Sequence, residues 1–212
     1  MRIVDLTHPI TDGMATYPGD PSVSFNRVST IPKSDFNITE VTFGTHSGTH
    51  VDAPYHCIDE GITVDRISLE SCIGIAEVLD IIEKGPNSDI DIPDLERFAE
   101  RIEPGCRLLL RTGWSKRFGE DNFFTEYPNI TPALAIWLAE KGVRLLGLEQ
   151  PSPSTKHSLE VHDILLKAEI VLVEAMANLS DLQSERVLLV VLPLKLIGLD
   201  GSPARVIAVE QD

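Results

Sequence analysis

The sequence predicts a mixed α/β fold, and three observations predict it. Short β-rich runs come first: RIVDLT, SVSFNRVSTI and ITEVTFGT, separated by the turn-rich YPGDPS and by IPKSD. Strand-like and helix-like runs then alternate. The chain closes on RVLLVVLPLKLIGL and ARVIAVE, both apolar enough to be buried strands. Hairpin-like segments early and crossover units late can share one core, so one domain over residues 1–212 with a mixed sheet is expected. No repeat or low-complexity linker interrupts it.

After the early strands, IAEVLDII reads as a strand and IPDLERFAERI as a helix, with Asp91 and Pro93 suited to its N-cap region. RLLLRT is the next strand. TPALAIWLAEKG is a helix with Thr131 as cap, Pro132 in the first turn and Gly142 as stop, and it leads into the apolar VRLLGLE. A further helix over HSLEVHDILLKAE precedes the strand IVLVEA. Between these elements, WSKRFGEDNFFTEYPNI has no period and reads as a long loop, of the kind that forms lids or interface arms.

Eighteen basic against thirty-three acidic side chains give a net charge of -15, and the pI is near 4.7. That balance opposes binding to nucleic acid or to an anionic membrane. A small molecule or a protein partner is expected instead. The opening MRIVDLTHPI lacks a basic flank followed by an apolar run, and no stretch is long and apolar enough to span a bilayer, so a cytoplasmic location is expected. Three cysteines without CxxC spacing indicate neither a disulfide framework nor a thiolate zinc site.

Chemistry concentrates in FGTHSGTHVDAPYHC, residues 43 to 57. His46, His50, Asp52 and His56 share one parity, so wherever the segment is extended their side chains project from one face. Gly48 allows a tight turn that brings ligands four apart onto one ion, and Pro54 restricts the chain behind Asp52. A lone histidine is ordinarily a half-buried polar side chain. Three with a carboxylate at this spacing favour a metal: imidazole nitrogen and carboxylate oxygen suit zinc or manganese, and three protein ligands leave open positions for catalysis. Cys57 faces away from its neighbour His56 on an extended chain and is expected in the core. His8 reads as structural, and His157 as an exposed residue near a helix cap.

HSGTHVDAPYH resembles the signature of the cyclase family of metal-dependent hydrolases, whose best-known activity is kynurenine formamidase (arylformamidase), an activity of tryptophan catabolism. DLTHPI, YPGD, LLRTGW and HDILLKAEIVLVEA recur in family order, so the resemblance spans nearly the whole chain. It implies a swivelling β/β/α fold with a mixed central sheet and flanking helices. It further implies that His46, His50 and Asp52 bind one divalent ion, that Asp52 bridges to a second, and that His162 and Glu174 complete that second site. The cofactor is then one or two ions per chain, zinc in first place with manganese or iron as alternatives. His56 is the implied acid and base, with a further ligand as its competing role. The residues permit this: Leu159, His162 and Leu166 fall at i, i+3 and i+7, an inward apolar face, and Glu174 ends an apolar strand where an unpaired carboxylate is costly.

The implied activity is hydrolysis of a small amide, an aryl formamide such as N-formylkynurenine, by metal-activated water. Alternatives are another amidase, a cyclic-amide ring opener or a dehydratase on the same scaffold, and, from another class, a metal-stabilised binding protein without turnover. Homodimers or homotetramers are implied, with the aromatic run from Phe118 to Tyr127 as a candidate arm. Departures from the formamidase pattern flank the site. Glu149 and QPSPS stand where an aspartate and a serine-rich turn are expected, and Ala175 and Met176 where Gly and Leu are more usual. Tyr17 stands where the formamidases carry an aromatic that lines the substrate pocket, so Tyr17 and Glu149 are candidate pocket residues.

Overall fold

A computed structural model of the chain describes residues 1–210. Its strands are β1 (Arg2–Asp5), β2 (Ser24–Ser29), β3 (Ile38–Thr42), β4 (His50–Asp52), β5 (Ile73–Asp80), β6 (Asp89–Ile90), β7 (Arg107–Arg111), β8 (Asn129–Ile130), β9 (Leu145–Leu148), β10 (Val171–Glu174), β11 (Arg186–Pro193) and β12 (Gly201–Glu210). Its helices are α1 (Leu69–Cys72), α2 (Ile92–Glu96), α3 (Pro132–Glu140) and α4 (Ser158–Lys167).

The main sheet has eight strands in the order β1-β12-β11-β5-β7-β9-β10-β4, and β4 pairs back onto β12. The circuit from β12 round to β4 therefore closes on itself, with β1 added outside the ring. Parallel pairs β5–β7, β7–β9 and β9–β10 form one side, as chain crossovers carrying α2, α3 and α4 require. Antiparallel pairs complete the rest. This is the mixed sheet with flanking helices that was expected.

Alternation along the strands separates two cores. Leu109, Leu145, Val171 and Val173 point into the closed sheet with Val51, Val78 and Leu189. Leu108, Leu110, Leu146 and Leu172 point outward, where Leu134 and Leu138 of α3 and Val161, Leu165 and Leu166 of α4 cover them. Local signals start the helices as anticipated. Thr131 accepts from Leu134 N–H, and Asp91 and Asp94 form a reciprocal capping box on α2.

Three expectations need correction. IPDLERFAERI is not one helix: α2 stops at Glu96 and a 3₁₀ turn covers Ala99–Arg101. RVLLVVLPLKLIGL pairs only as far as Pro193, which ends β11; beyond it Leu194, Ile197 and Leu199 are exposed in the connection to β12. On α4 the buried face is Val161, His162, Leu165 and Leu166, whereas Leu159 is 71% exposed in the first turn. The early runs β2 and β3 pair only with each other, as an exposed two-stranded hairpin apart from the main sheet.

Candidate active site

β4 is the short closing strand, and its neighbours set the site. His50 lies opposite Glu174 on β10 and Pro203 on β12; Asp52 lies opposite Leu172 and Gly201. Directly paired residues share a face, so His50, Asp52 and Glu174 project together to the outside of the ring. α4 covers that face and brings His162 to it. His46 precedes the strand in a turn where Gly48 has a φ of +64°, and His56 follows in a 3₁₀ turn over Pro54–His56.

The donor atoms converge. His46 Nδ1 is 2.8 Å from Asp52 Oδ1, and His50 Nε2 is 3.3 Å from the same oxygen and 3.4 Å from Glu174 Oε2. His162 Nε2 is 3.7 Å from Asp52 Oδ2 and 3.5 Å from Glu174 Oε1. His50, Asp52, His162 and Glu174 are all buried. Yet His50 Nε2, Asp52 Oδ2 and Glu174 Oε1 have no hydrogen-bond partner, an expensive arrangement unless something else engages them. Two ring tethers aim the histidines: His50 Nδ1 donates to Gly48 O (2.9 Å) and His162 Nδ1 to Ser158 O (2.7 Å), leaving each Nε2 facing the cluster. His50, Asp52 and Glu174 form one group with metal-ligand spacing, and His46, Asp52 and His56 a second sharing Asp52. Donors about 2 Å from a tetrahedral ion sit roughly 3.3 Å apart, so the residues present fit divalent metal.

Without an ion, charge in the cluster is organised around Asp52. Burial works against its carboxylate, but His46 and His50 hold it well below the usual carboxylate range. Burial likewise opposes the His46 imidazolium, yet Asp52 and Asp200 outweigh it and raise His46 to about 11. His50 rises to about 9 for related reasons, its burial overcome by Asp52 and Glu174. His56 goes the other way. Burial lowers it, and the neighbouring His46 and His162 add to that against the pull of Asp52 and Glu174. Its ring centroid lies 4.1 Å from that of His46 and 5.6 Å from that of His162.

A cavity of about 210 Å³ opens over the cluster, with His46, His50, His56, His162 and Glu174 in its wall. Tyr17, Phe118 and Phe124 supply its aromatic side. The long aromatic run packs on its own chain beside the cavity: Trp114, Phe123 and Tyr127 bury among themselves and Ala175, and Phe118 and Phe124, which reach the cavity, pack against them. His8 backs this wall, stacked on Phe118 at 3.8 Å with burial pushing its imidazole down to about 4. Cys57 is half-buried against the outer core, its thiol pushed up to about 11 chiefly by burial, which disfavours the thiolate. His157 sits exposed at the head of α4 beside Glu160.

Glu149 does not line the cavity. It is fully buried and accepts from Thr112 N–H, Thr112 Oγ1, Gly113 N–H and Ser115 Oγ, tying down the turn after β7. Asp200 is the residue that sequence reading missed. It accepts from His46 Nε2 at 2.7 Å and lies 3.8 Å from His56 Nδ1.

Comparison with known proteins gives the family. Residues 4–155 match the Cyclase family model, described as "Putative cyclase". The chain belongs to the cyclase family. A kynurenine formamidase of Erythrobacter litoralis is 32% identical over 209 residues, covering 97% of this chain and 93% of the relative. Isatin hydrolase A from Ralstonia solanacearum superposes with a TM-score of 0.87 at 27% identity, covering 99% of this chain and 92% of the other. A solved "potential metal-dependent hydrolase with cyclase activity" superposes at 0.83 with 28% identity, covering 100% and 98%. Among the described residues, no helix is long and apolar enough to cross a membrane.

Proposed function

We propose that the protein is a metal-dependent amide hydrolase of C–N bonds other than peptide bonds, acting on an aryl formamide such as N-formylkynurenine. The observation that carries this reading is the set of buried, unpartnered atoms on His50, Asp52 and Glu174, with His50 and Glu174 in the wall of an aromatic-sided cavity. His46, His50 and Asp52 would hold a divalent ion, and His162 and Glu174 would help to hold a second where two are bound. Zinc is the first choice for nitrogen and oxygen donors at this spacing. When bound, such an ion polarises a carbonyl and makes water a competent nucleophile near neutral pH.

The chain's own residues do the rest. His56, whose imidazole is shifted down by burial and by its histidine neighbours, takes a proton from the attacking water. It returns that proton to the leaving amine. Tyr17, Phe118 and Phe124 present flat apolar surface to an aryl group, Tyr17 standing edge-on to Phe124 at 6.0 Å. The kynurenine formamidase relative supports the aryl formamide as substrate. The similarity to isatin hydrolase favours a second reading, opening of a cyclic aryl amide.

The exposed β2–β3 hairpin, with Val28, Ile31, Phe36, Ile38 and Val41 uncovered, supports a homodimer or homotetramer. One domain over residues 1–212 and a cytoplasmic location complete the proposal. Assay of zinc-loaded protein on N-formylkynurenine and isatin tests it. Turnover of the formamide with release of formate is expected; turnover of isatin alone moves the assignment to the second reading, and cleavage of neither leaves a binding protein.

A further inference from the structure

Asp200 sits in the connection from β11 to β12, and two backbone bonds pin that connection across the histidine segment. Ala53 N–H donates to Asp200 O, and Val64 N–H to Leu199 O, each at 2.9 Å. The carboxylate accepts from Thr45 Oγ1 at 3.0 Å and from His46 Nε2 at 2.7 Å. Gly201, next in the chain, leaves room for the His46 ring. A Cβ there would lie 2.9 Å from His46 Cε1 and 2.8 Å from Val51 O.

His46 is tethered in the opposite sense to the other cluster histidines. His50 and His162 are held at Nδ1 by backbone carbonyls and offer Nε2. His46 is held at Nε2 by Asp200 and offers Nδ1, 2.8 Å from Asp52 Oδ1. An imidazole has one nitrogen to give an ion when the other keeps its proton, and a carboxylate on that proton fixes which one. Asp52 belongs to the convergent donor set and Asp200 stands on the far side of the ring.

We infer that Asp200 is a positioning residue of the metal centre, holding the His46 proton on Nε2 so that Nδ1 joins Asp52 in binding a divalent cation. The same oxygen lies 3.8 Å from His56 Nδ1, beyond hydrogen-bond reach, so its hold is on His46. This inference rests on the metal reading of the site.

The test uses the full-length protein and zinc alone as probe, with affinity measured by competition against a chromophoric chelator and the His46 tautomer by long-range ¹⁵N–¹H spectra. In zinc-loaded wild type, the His46 proton is expected on Nε2. Asp200→Ala is expected to weaken zinc about ten- to a hundredfold, and Asp200→Asn, which keeps an oxygen acceptor, to weaken it less. Unchanged zinc affinity in Asp200→Ala, or a His46 proton on Nδ1 in loaded wild type, overturns the inference alone. A wild type that binds no zinc overturns the metal reading and this inference with it. Should Asp200→Ala not fold, the wild-type spectrum and Asp200→Asn decide.

Discussion

His56 stands beside the His46 and His162 rings and has the spacing of a ligand as well as the reach of a proton carrier; the proposed role is the proton carrier. His56→Ala is accordingly expected to retain its metal while hydrolysis falls on the order of 10²- to 10⁴-fold, as read by elemental analysis beside steady-state kinetics. Loss of the ion together with activity would make His56 a ligand. Glu149 illustrates a different role, since its carboxylate answers donors from Thr112, Gly113 and Ser115 and is not in the cavity wall. Glu149→Ala should lower stability by about 2–3 kcal/mol in thermal melts, because those donors lose a charged acceptor; an unchanged melt with altered KM would return Glu149 to the pocket. The candidate ligands of the histidine segment were legible because they lie within one short stretch and metal chemistry needs that spacing. Asp200 was not. It is 154 residues from His46, in a run of ordinary loop composition, and only the pairing of β12 with β4 brings the two together.

At the scale of elements, α4 shows where periodicity misleads. Leu159, His162 and Leu166 satisfy an i, i+3, i+7 pattern, yet on a ten-residue helix the first turn overhangs the sheet, and the covered face is Val161, His162, Leu165 and Leu166. His162 belongs to both patterns, so its inward direction was right for a partly wrong reason. Leu165→Ala is expected to cost about 2–5 kcal/mol, whereas Leu159→Ala should stay within about 0.5 kcal/mol, by chemical denaturation. Equal effects would contradict the assigned face. Caps and stops were readable at Asp91, Thr131 and Gly142, because they act through local hydrogen bonds and φ angles. Strand partners were not, since closure of the ring through the three-residue β4 depends on neighbours distant in sequence.

Across the whole molecule, a ring-shaped sheet places one cavity over charges that repel or pair according to pH and metal. In metal-free protein, His46 is raised to about 11 from an unfolded value of 6.5, so its contribution is complete below 6.5 and fades as pH rises through 11. Asp200, lowered to about 2 by the hydrogen bond from His46 against its burial, contributes above its unfolded value of 3.8 and loses that contribution as pH falls toward 2. Chelator-treated protein should therefore melt at progressively lower temperature from pH 6.5 toward alkaline pH. A melting temperature that holds or climbs over that range would contradict the charge arrangement. Metal must displace protons from His46 and His50, so ion affinity should rise with pH and titrations at pH 7 should release protons, seen as a dependence of the binding heat on the buffer. The central claim is that Asp52 and its histidine and glutamate neighbours share a divalent ion. Its most direct measurement is the metal content of wild type and Asp52→Asn, each purified without chelator and dialysed against metal-free buffer. Retention of a divalent ion by wild type and its loss from the variant is the predicted result; wild type that emerges free of metal, or a variant that keeps as much, would contradict it.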